Sequence, residues 1–293
     1  MGLGTSSPVR LYQIAYSNST LASVDPEYLL LDNLDNQRPD WYEYWAIRRF
    51  LISEHLAEDA FYGFFSPKFS SKTGLTHASV TSFVQTHAPN TDVYLFSPQP
   101  DMGAFFLNVF EQAEVFDPGF IKAFGAFLEA VGRPTRNLGG MIMDSRQTVF
   151  SNYFVARPAF WREWLALNEQ LFCICEGPET ALQRELTKPT SYAGGAHRKV
   201  FMMERTASYL LSTQTHWRSR AADTFRFAWS ATRFSEHRGE AILSDALKIA
   251  YRDQGFPEYL AEFVNLRERF RASAAERQPI NGSVDSIRQE IGA

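Results

Sequence analysis

The chain predicts an α/β protein with a helix-dominated C-terminal part, and three observations carry that expectation. Short β-forming runs alternate with segments of helical periodicity through the first 160 residues. Turn-prone clusters such as Ser17-Asn18-Ser19 and Asp117-Pro118-Gly119 separate them. Beyond that point helical patterning takes over, with no repeat and no Pro- or Gly-rich linker dividing the chain.

Taken in order, residues 9–16 (VRLYQIAY) are rich in β-formers and end at a turn, so they predict the first strand. Leu29-Leu30-Leu31 leads into a polar loop over 32–37. Pro39 opens a helix expected over about 40–56, in which Trp41, Tyr44, Trp45, Ile52 and Leu56 fall near helical spacing. Strands are expected at 61–66, 92–97, 139–143 and 148–156, and helix over most of 103–131. Pro158 marks another helix start, after which Phe160, Trp164, Leu167 and Leu171 recur at i, i+4, i+7 and i+11. A loop is expected over 176–197, a helix over about 199–213, and a later helix around Ile242, Ala246 and Ile249. The polar last twenty or so residues read as poorly ordered.

Composition narrows the function classes. The chain has 293 residues, 45% hydrophobic and 21% charged, which is ordinary for a globular protein with a full core. The 25 Phe, 12 Tyr and 6 Trp predict a core dominated by ring packing. A net charge of −4 argues against a nucleic-acid surface spread over the whole molecule. No apolar run approaches the roughly 20 residues that span a bilayer, and the first eight residues lack the core of a secretory signal. Cytoplasmic residence is therefore the expectation. Cys173 and Cys175 are separated by one residue, a poor arrangement for a disulfide, and read as reduced thiols.

The most informative stretch is 61–75 (FYGFFSPKFSSKTGL), an apolar strand that stops at Ser66-Pro67 and releases Lys68 and Lys72. In open α/β proteins a sheet edge of that kind binds ligands, and paired lysines suit an anionic group such as a diphosphate. A solvated turn would explain the same residues. Glu204 shares a helical stripe with Val200, Ala207 and Leu211, so its carboxylate is expected on the apolar side, either in an ion pair or as a general base. Arg205 is turned about 100° away and is not the expected partner. Asp144 follows the strand expected at 139–143 and could face a cleft or cap a turn. Asp32, Asp35 and Asp101 are the metal candidates, because Mg²⁺ and Mn²⁺ favour oxygen ligands; turn chemistry is the alternative for the first two. No phosphate-binding loop, dinucleotide fingerprint, nucleophile elbow or metal helix is present, and the six histidines are scattered.

In order and spacing these segments resemble a glycosyltransferase family of bacterial capsular and surface polysaccharide biosynthesis, related to GT-A enzymes. The resemblance covers roughly residues 9–213. It rests on Asp32-Asn33-Leu34-Asp35, Glu43-Tyr44-Trp45-Ala46-Ile47, the segment 62–69, the strand from Asp92, the unit from Ser151-Asn152-Tyr153 into Phe160-Trp161-Arg162-Glu163-Trp164, and Glu204-Arg205 on its helix. Two departures stand out: Phe65-Ser66-Pro67-Lys68 replaces a His-Tyr-Arg-Arg-like segment, and no Asp-x-Asp is present at Asp101 or elsewhere in the matched order.

The resemblance implies a GT-A-like (Rossmann-like) mixed sheet flanked by helices. Residues 1–215 would form the nucleotide-sugar-binding and catalytic domain, 216–272 a helical extension and 273–293 a flexible tail. It implies transfer of a sugar, of hexosyltransferase type, from a nucleotide-sugar donor to a glycan or lipid-linked acceptor, at the inner face of the cell membrane and with peripheral contact there. Tyr16 and Ser17 would lie near the nucleotide, Lys68 and Lys72 at the diphosphate, and Asn152 at the sugar hydroxyls. Glu204, or Asp144, would be the base. Both Mn²⁺- or Mg²⁺-assisted and metal-free reactions stay open. A catalytically silent sugar- or nucleotide-binding protein of the same fold is the alternative. An α/β methyltransferase is disfavoured, because Tyr16-Ser17-Asn18-Ser19 stands where its glycine-rich turn would be.

Overall fold

The first strand forms where its β-formers predict it. In the computed structural model, which describes residues 7–135, 137–192 and 194–276, Val9–Ala15 is β1. It is followed by α1 (Asn18–Ala22), β2 (Leu29–Asp32), a 3₁₀ turn at Pro39–Trp41, and α2 (Glu43–Ser53). Next come β3 (Phe61–Phe65), α3 (Phe69–Thr73), α4 (His77–His87) and β4 (Val93–Leu95). The helices α5 (Pro100–Ala104), α6 (Val109–Phe116) and α7 (Phe120–Ala130) lead to β5 (Phe154–Ala156). The chain ends with α8 (Pro158–Glu176), α9 (Ala181–Leu186), α10 (Arg198–Thr213), β6 (Ser219–Ala221), α11 (Arg238–Gln254) and α12 (Pro257–Glu276). No helix among the described residues is long and apolar enough to cross a membrane.

The strands make one six-stranded sheet in the order β2-β1-β3-β5-β4-β6. β1 runs parallel to β2 and β3, and β4 parallel to β6, while β5 is antiparallel to both its neighbours, β3 and β4. Five strands therefore share one direction and β5 alone is reversed. The result is an α/β fold with a mixed sheet flanked by helices, compatible with a Rossmann-like architecture. Strand alternation divides the core. Tyr62, Phe64, Leu95 and Phe154 face one layer with Trp161, Trp164 and Met202, whereas Leu11, Phe61, Phe65 and Val155 face the other with Phe69, Val80 and Val84.

The helix from Pro158 matches its predicted stripe: Phe160, Trp164, Leu167 and Leu171 are all fully buried. Trp161 joins them, stacked on Phe154 with ring centroids 4.3 Å apart and donating its indole N–H to the Tyr62 carbonyl at 3.0 Å. At the β3–β5 contact Gly63 pairs with Val155, and a Cβ on Gly63 would lie 2.7 Å from Val155 Cγ2. Gly63→Ala should therefore overpack the sheet and cost about 1–3 kcal/mol in urea unfolding. Wild-type stability would show that Val155 can turn aside.

Several expectations need correction. The segment 139–143 is not a strand. The backbone makes a 3₁₀ turn at Leu138–Gly140, and the Asn108 side-chain amide takes the Leu138, Gly139 and Met141 carbonyls that a ladder would have used. The strand expected from 148 starts only at Phe154, because Ser151 and Asn152 adopt left-handed φ values of 58° and 53°. The strand expected at 92–97 is confined to Val93–Leu95, and the helix expected from 40 starts at Glu43 after Tyr42, whose φ is 48°. The loop expected over 176–197 contains α9, capped by the Thr180 side chain. β6, which follows residue 215, is an edge strand of the main sheet. α12 runs to Glu276, so the expected tail begins as helix, and residues 277–293 lie outside the described residues. Cys173 and Cys175, by contrast, are free thiols as expected.

Candidate functional site

The reversal of β5 sets the site. The C-terminal ends of β1 and β3 deliver Tyr16, Ser17, Ser66 and Lys68 to one edge of the sheet, and β5 begins at that same edge with Ser151, Asn152 and Tyr153. Phe69 packs under this edge, stacked on Phe65 with ring centroids 3.9 Å apart, and so fixes α3 against the strand it follows. Lys72 on α3 then reaches across to donate to Ser151 Oγ at 3.1 Å, with its Nζ 5.7 Å from the Tyr153 ring centroid. The Lys72 carbonyl accepts from the Ala228 N–H, which ties the segment after β6 to the same place. Tyr153 is fully buried and its hydroxyl is 2.5 Å from Ser66 Oγ.

Asn152 is the most unusual residue here. It is 2% exposed and holds a left-handed backbone without being glycine. Its Nδ2 lies 3.3 Å from Met203 Sδ, and its Oδ1 is buried with no hydrogen-bond partner. A buried carbonyl oxygen without a donor is costly, and at a sheet edge it fits a ligand that brings one.

Two carboxylates face this edge. Glu204 comes from the middle of α10 and is 24% exposed; Glu43 is half-buried at the first turn of α2. Burial raises the pKa of Glu204, and Glu43 raises it further, against the opposing charges of Arg205 and Lys72 and the Ser151 backbone N–H. Burial also raises the pKa of Glu43, opposed by its own backbone N–H, Lys72 and Lys68. The Tyr153 hydroxyl is pushed up by burial and by the same two glutamates, with Ser66 acting in the opposite direction. Glu43, Glu204, Lys72 and Tyr153 thus form one electrostatic group.

The partner of Glu204 differs from the expected one. Val200, Ala207 and Leu211 are buried as the stripe predicts, but Arg205 is buried too and sits 3.6 Å from Glu204 Oε2. Its guanidinium donates to the Val109 carbonyl, the Phe201 carbonyl and Gln112 Oε1, because α10 is enclosed on more than one side. The first turn of α10 is fixed as firmly. Arg198 grips Asp117 through Nε at 2.6 Å and Nη2 at 2.7 Å, and Lys199 lies 2.5 Å from Asp40 and 3.4 Å from Glu176. Lys199 thereby joins α10 to the turn that precedes Glu43.

The predicted aspartates stand apart from this group. Asp144 is fully buried, paired with Arg146 at 2.8 Å and Arg252 at 3.2 Å, and placed with Asp245 and Lys248 near α11. Asp101 is fully buried and receives the Ser230 N–H and hydroxyl. Asp32 accepts from the Leu34 N–H, and Asp35 pairs with Arg49 at 2.8 Å. Three strands separate β2, which ends at Asp32, from β4, which precedes Asp101. That is roughly 19 Å at the usual strand spacing. These carboxylates do not converge, and no group of three or more His, Cys, Asp or Glu suited to a metal ion occurs among the described residues. Tyr16 is exposed at the end of β1, and the Ser17 side chain is taken up in capping α1. A separate recess of about 830 Å³ opens beside β6, with His87, Arg146, Arg220 and Asp223 in its wall.

Sequence reasoning missed Glu43, Ser151 and Tyr153 as site residues. Glu43 carried one signal, a carboxylate directly before the buried face of an aromatic helix; Ser151 and Tyr153 carried none beyond their neighbour Asn152. Compared with known proteins, the chain matches no family model, no curated protein and no solved structure.

Proposed function

We propose that the protein is a glycosyltransferase that moves a sugar from a nucleotide-sugar donor to a hydroxyl of a glycan or lipid-linked acceptor. The observation that carries this reading is the convergence of Lys72, Glu204 and the unpartnered Asn152 Oδ1 around Ser151. Lys68 and Lys72 supply positive charge for a diphosphate, whose negative charge grows as the glycosidic bond breaks. Asn152 accepts from a sugar hydroxyl, and its strained, buried setting holds it in place before the sugar arrives. Glu204 removes the acceptor's proton, and burial, which raises its pKa, makes it a stronger base for that task. No step in this reading requires a metal ion.

A thermal-shift series with a panel of nucleotide sugars, with and without Mn²⁺, tests the reading. A donor at 100 times its Kd stabilises the fold by about 2.7 kcal/mol. Binding accompanied by neither transfer nor slow donor hydrolysis would make the protein a sugar or nucleotide binder instead. Lys68→Ala and Lys72→Met should each weaken donor affinity roughly 10- to 100-fold, the equivalent of one charge-assisted hydrogen bond of about 1.5–3 kcal/mol. Unchanged affinity in both would remove the lysines from the site.

A further inference from the structure

The two edges of the sheet are built differently. β6 forms one edge, and its middle residue, Arg220, is exposed; a charged side chain there keeps an edge strand from pairing with another chain. β2 forms the other edge and has no such guard. It opens on three leucines, of which Leu29 is 48% exposed and Leu30 45%. Strand alternation puts these two on opposite faces. Leu29 shares a face with the buried Leu31, and Leu30 shares one with the buried Tyr28. Both faces of the sheet therefore end in an exposed leucine at this edge.

The backbone of this edge is open as well. The Asn33 N–H donates to the Ala15 carbonyl at 2.8 Å, and Ala15 is in register with Asp32. In a parallel ladder alternate residues of a strand bond to the same neighbour, so Leu29, Leu31 and Asn33 turn their backbone groups toward β1. Leu30 and Asp32 turn theirs outward. No hydrogen bond among the described residues takes the N–H or C=O of either one. An unpaired, apolar edge of this kind is a template for another strand.

We propose that β2 is a dimerisation edge: two copies of this chain pair antiparallel through β2, about a twofold axis at Leu30, and join their sheets into one. In such a pair the residue on the axis meets itself. With Leu30 there, the outward N–H and C=O of the two copies face each other, as a hydrogen-bonded pair requires. The same register sets Leu29 opposite Leu31, Asp32 opposite Tyr28, and Glu27 opposite Asn33 of the other copy. Leucine thus meets leucine, and no carboxylate faces another. Moving the axis one residue either way sets Leu30 against Asp32 or Leu31 against Glu27. Pairing β6 with itself about its middle residue would instead bring two copies of Arg220 together. Because the paired copies run in opposite directions, their ligand edges open on opposite sides of the joined sheet and both stay accessible.

Analytical ultracentrifugation of the full chain, from low to high micromolar concentration, tests this without any need for activity. The wild type should reach twice the mass of one chain and rise no further. Leu30→Lys and Leu30→Glu each place like charges on the axis, and each should sediment as a single chain. Their far-UV circular dichroism should match wild type, because Leu30 is half-exposed and its loss leaves the core intact. Mixed in equal amounts, the two variants should recover the doubled mass, since lysine then faces glutamate. That rescue is specific to a register in which Leu30 meets its own copy. A wild type of single-chain mass at every concentration overturns the proposal, as does a doubled mass that survives both substitutions. A mixture that stays monomeric overturns it too. So does a mass that keeps growing with concentration, the mark of head-to-tail pairing between unlike edges.

Discussion

Glu204→Gln is expected to slow sugar transfer roughly 10²- to 10⁴-fold, the usual contribution of a positioned general base. Donor affinity should stay close to wild type, since the amide keeps the shape of the side chain and the lysines are untouched. The same substitution should raise the melting temperature at neutral pH. A carboxyl whose folded pKa lies above its unfolded value stabilises the fold while protonated, and that stabilisation is lost as pH rises through the folded value. Above the unfolded value Glu204 therefore opposes folding, and a neutral isostere removes the opposition. Activity in the wild type should run the other way, falling as pH drops through the raised value because the base must be ionised to work. A slower enzyme with a higher melting temperature is the combined signature. Loss of stability together with activity would identify Glu204 as a structural ion-pair partner of Arg205, and unchanged turnover would dismiss it as the base.

Arg198→Met should destabilise the protein by about 3–5 kcal/mol, a large part of the 5–15 kcal/mol typical of a folded domain. Arg198 is 1% exposed and makes a two-pronged contact with Asp117, with further bonds to Glu185 and the Pro118 carbonyl. Removing the guanidinium leaves Asp117 partly buried beside apolar neighbours with its charge unanswered, which costs more than the contact itself contributes. Adding Asp117→Asn to that variant should recover part of the loss, as the stranded charge goes with it. Urea unfolding of the two variants and the pair would settle the sign. A loss under about 1 kcal/mol would mean that Asp117 simply turns to water. Because Arg198 opens the helix that carries Glu204, the variant should also lose turnover beyond its loss of folded protein.

Some of this architecture was legible in the residues and some was not. β1, β3 and α8 declare themselves through β-former runs and an i, i+4 apolar stripe, because each buries a full face that composition has to serve. β6 could not be read: Ser219-Arg220-Ala221 is three residues at a sheet edge, half-exposed, with nothing apolar to signal it. Residues 139–143 misled because the Asn108 amide, not a neighbouring strand, takes their carbonyls, and only Met143 among them is buried. At the site, Lys68, Lys72, Asn152 and Glu204 were visible one by one. What joined them was the reversed strand, and strand direction leaves no mark on a segment of three residues. Glu43 escaped for a related reason, since its importance lies in which charges the fold sets opposite it.

The placement of β5 between β3 and β4 also dictates the order in which the molecule can be made. β2, β1 and β3 pair among themselves and are complete once residue 65 has emerged. β4 has no partner among them; it bonds only to β5 and β6, and β5 lies about sixty residues further along the chain. At the usual pace of synthesis that is a delay of roughly 3–12 s, in which Val93–Leu95 has no strand to join. The nascent chain thus carries a finished half-sheet and an orphan strand, and Asn152 enters with the very segment that unites them. On the proposed reading the donor site is completed only at that point, and fragments ending before residue 152 should be sheet-forming yet blind to nucleotide.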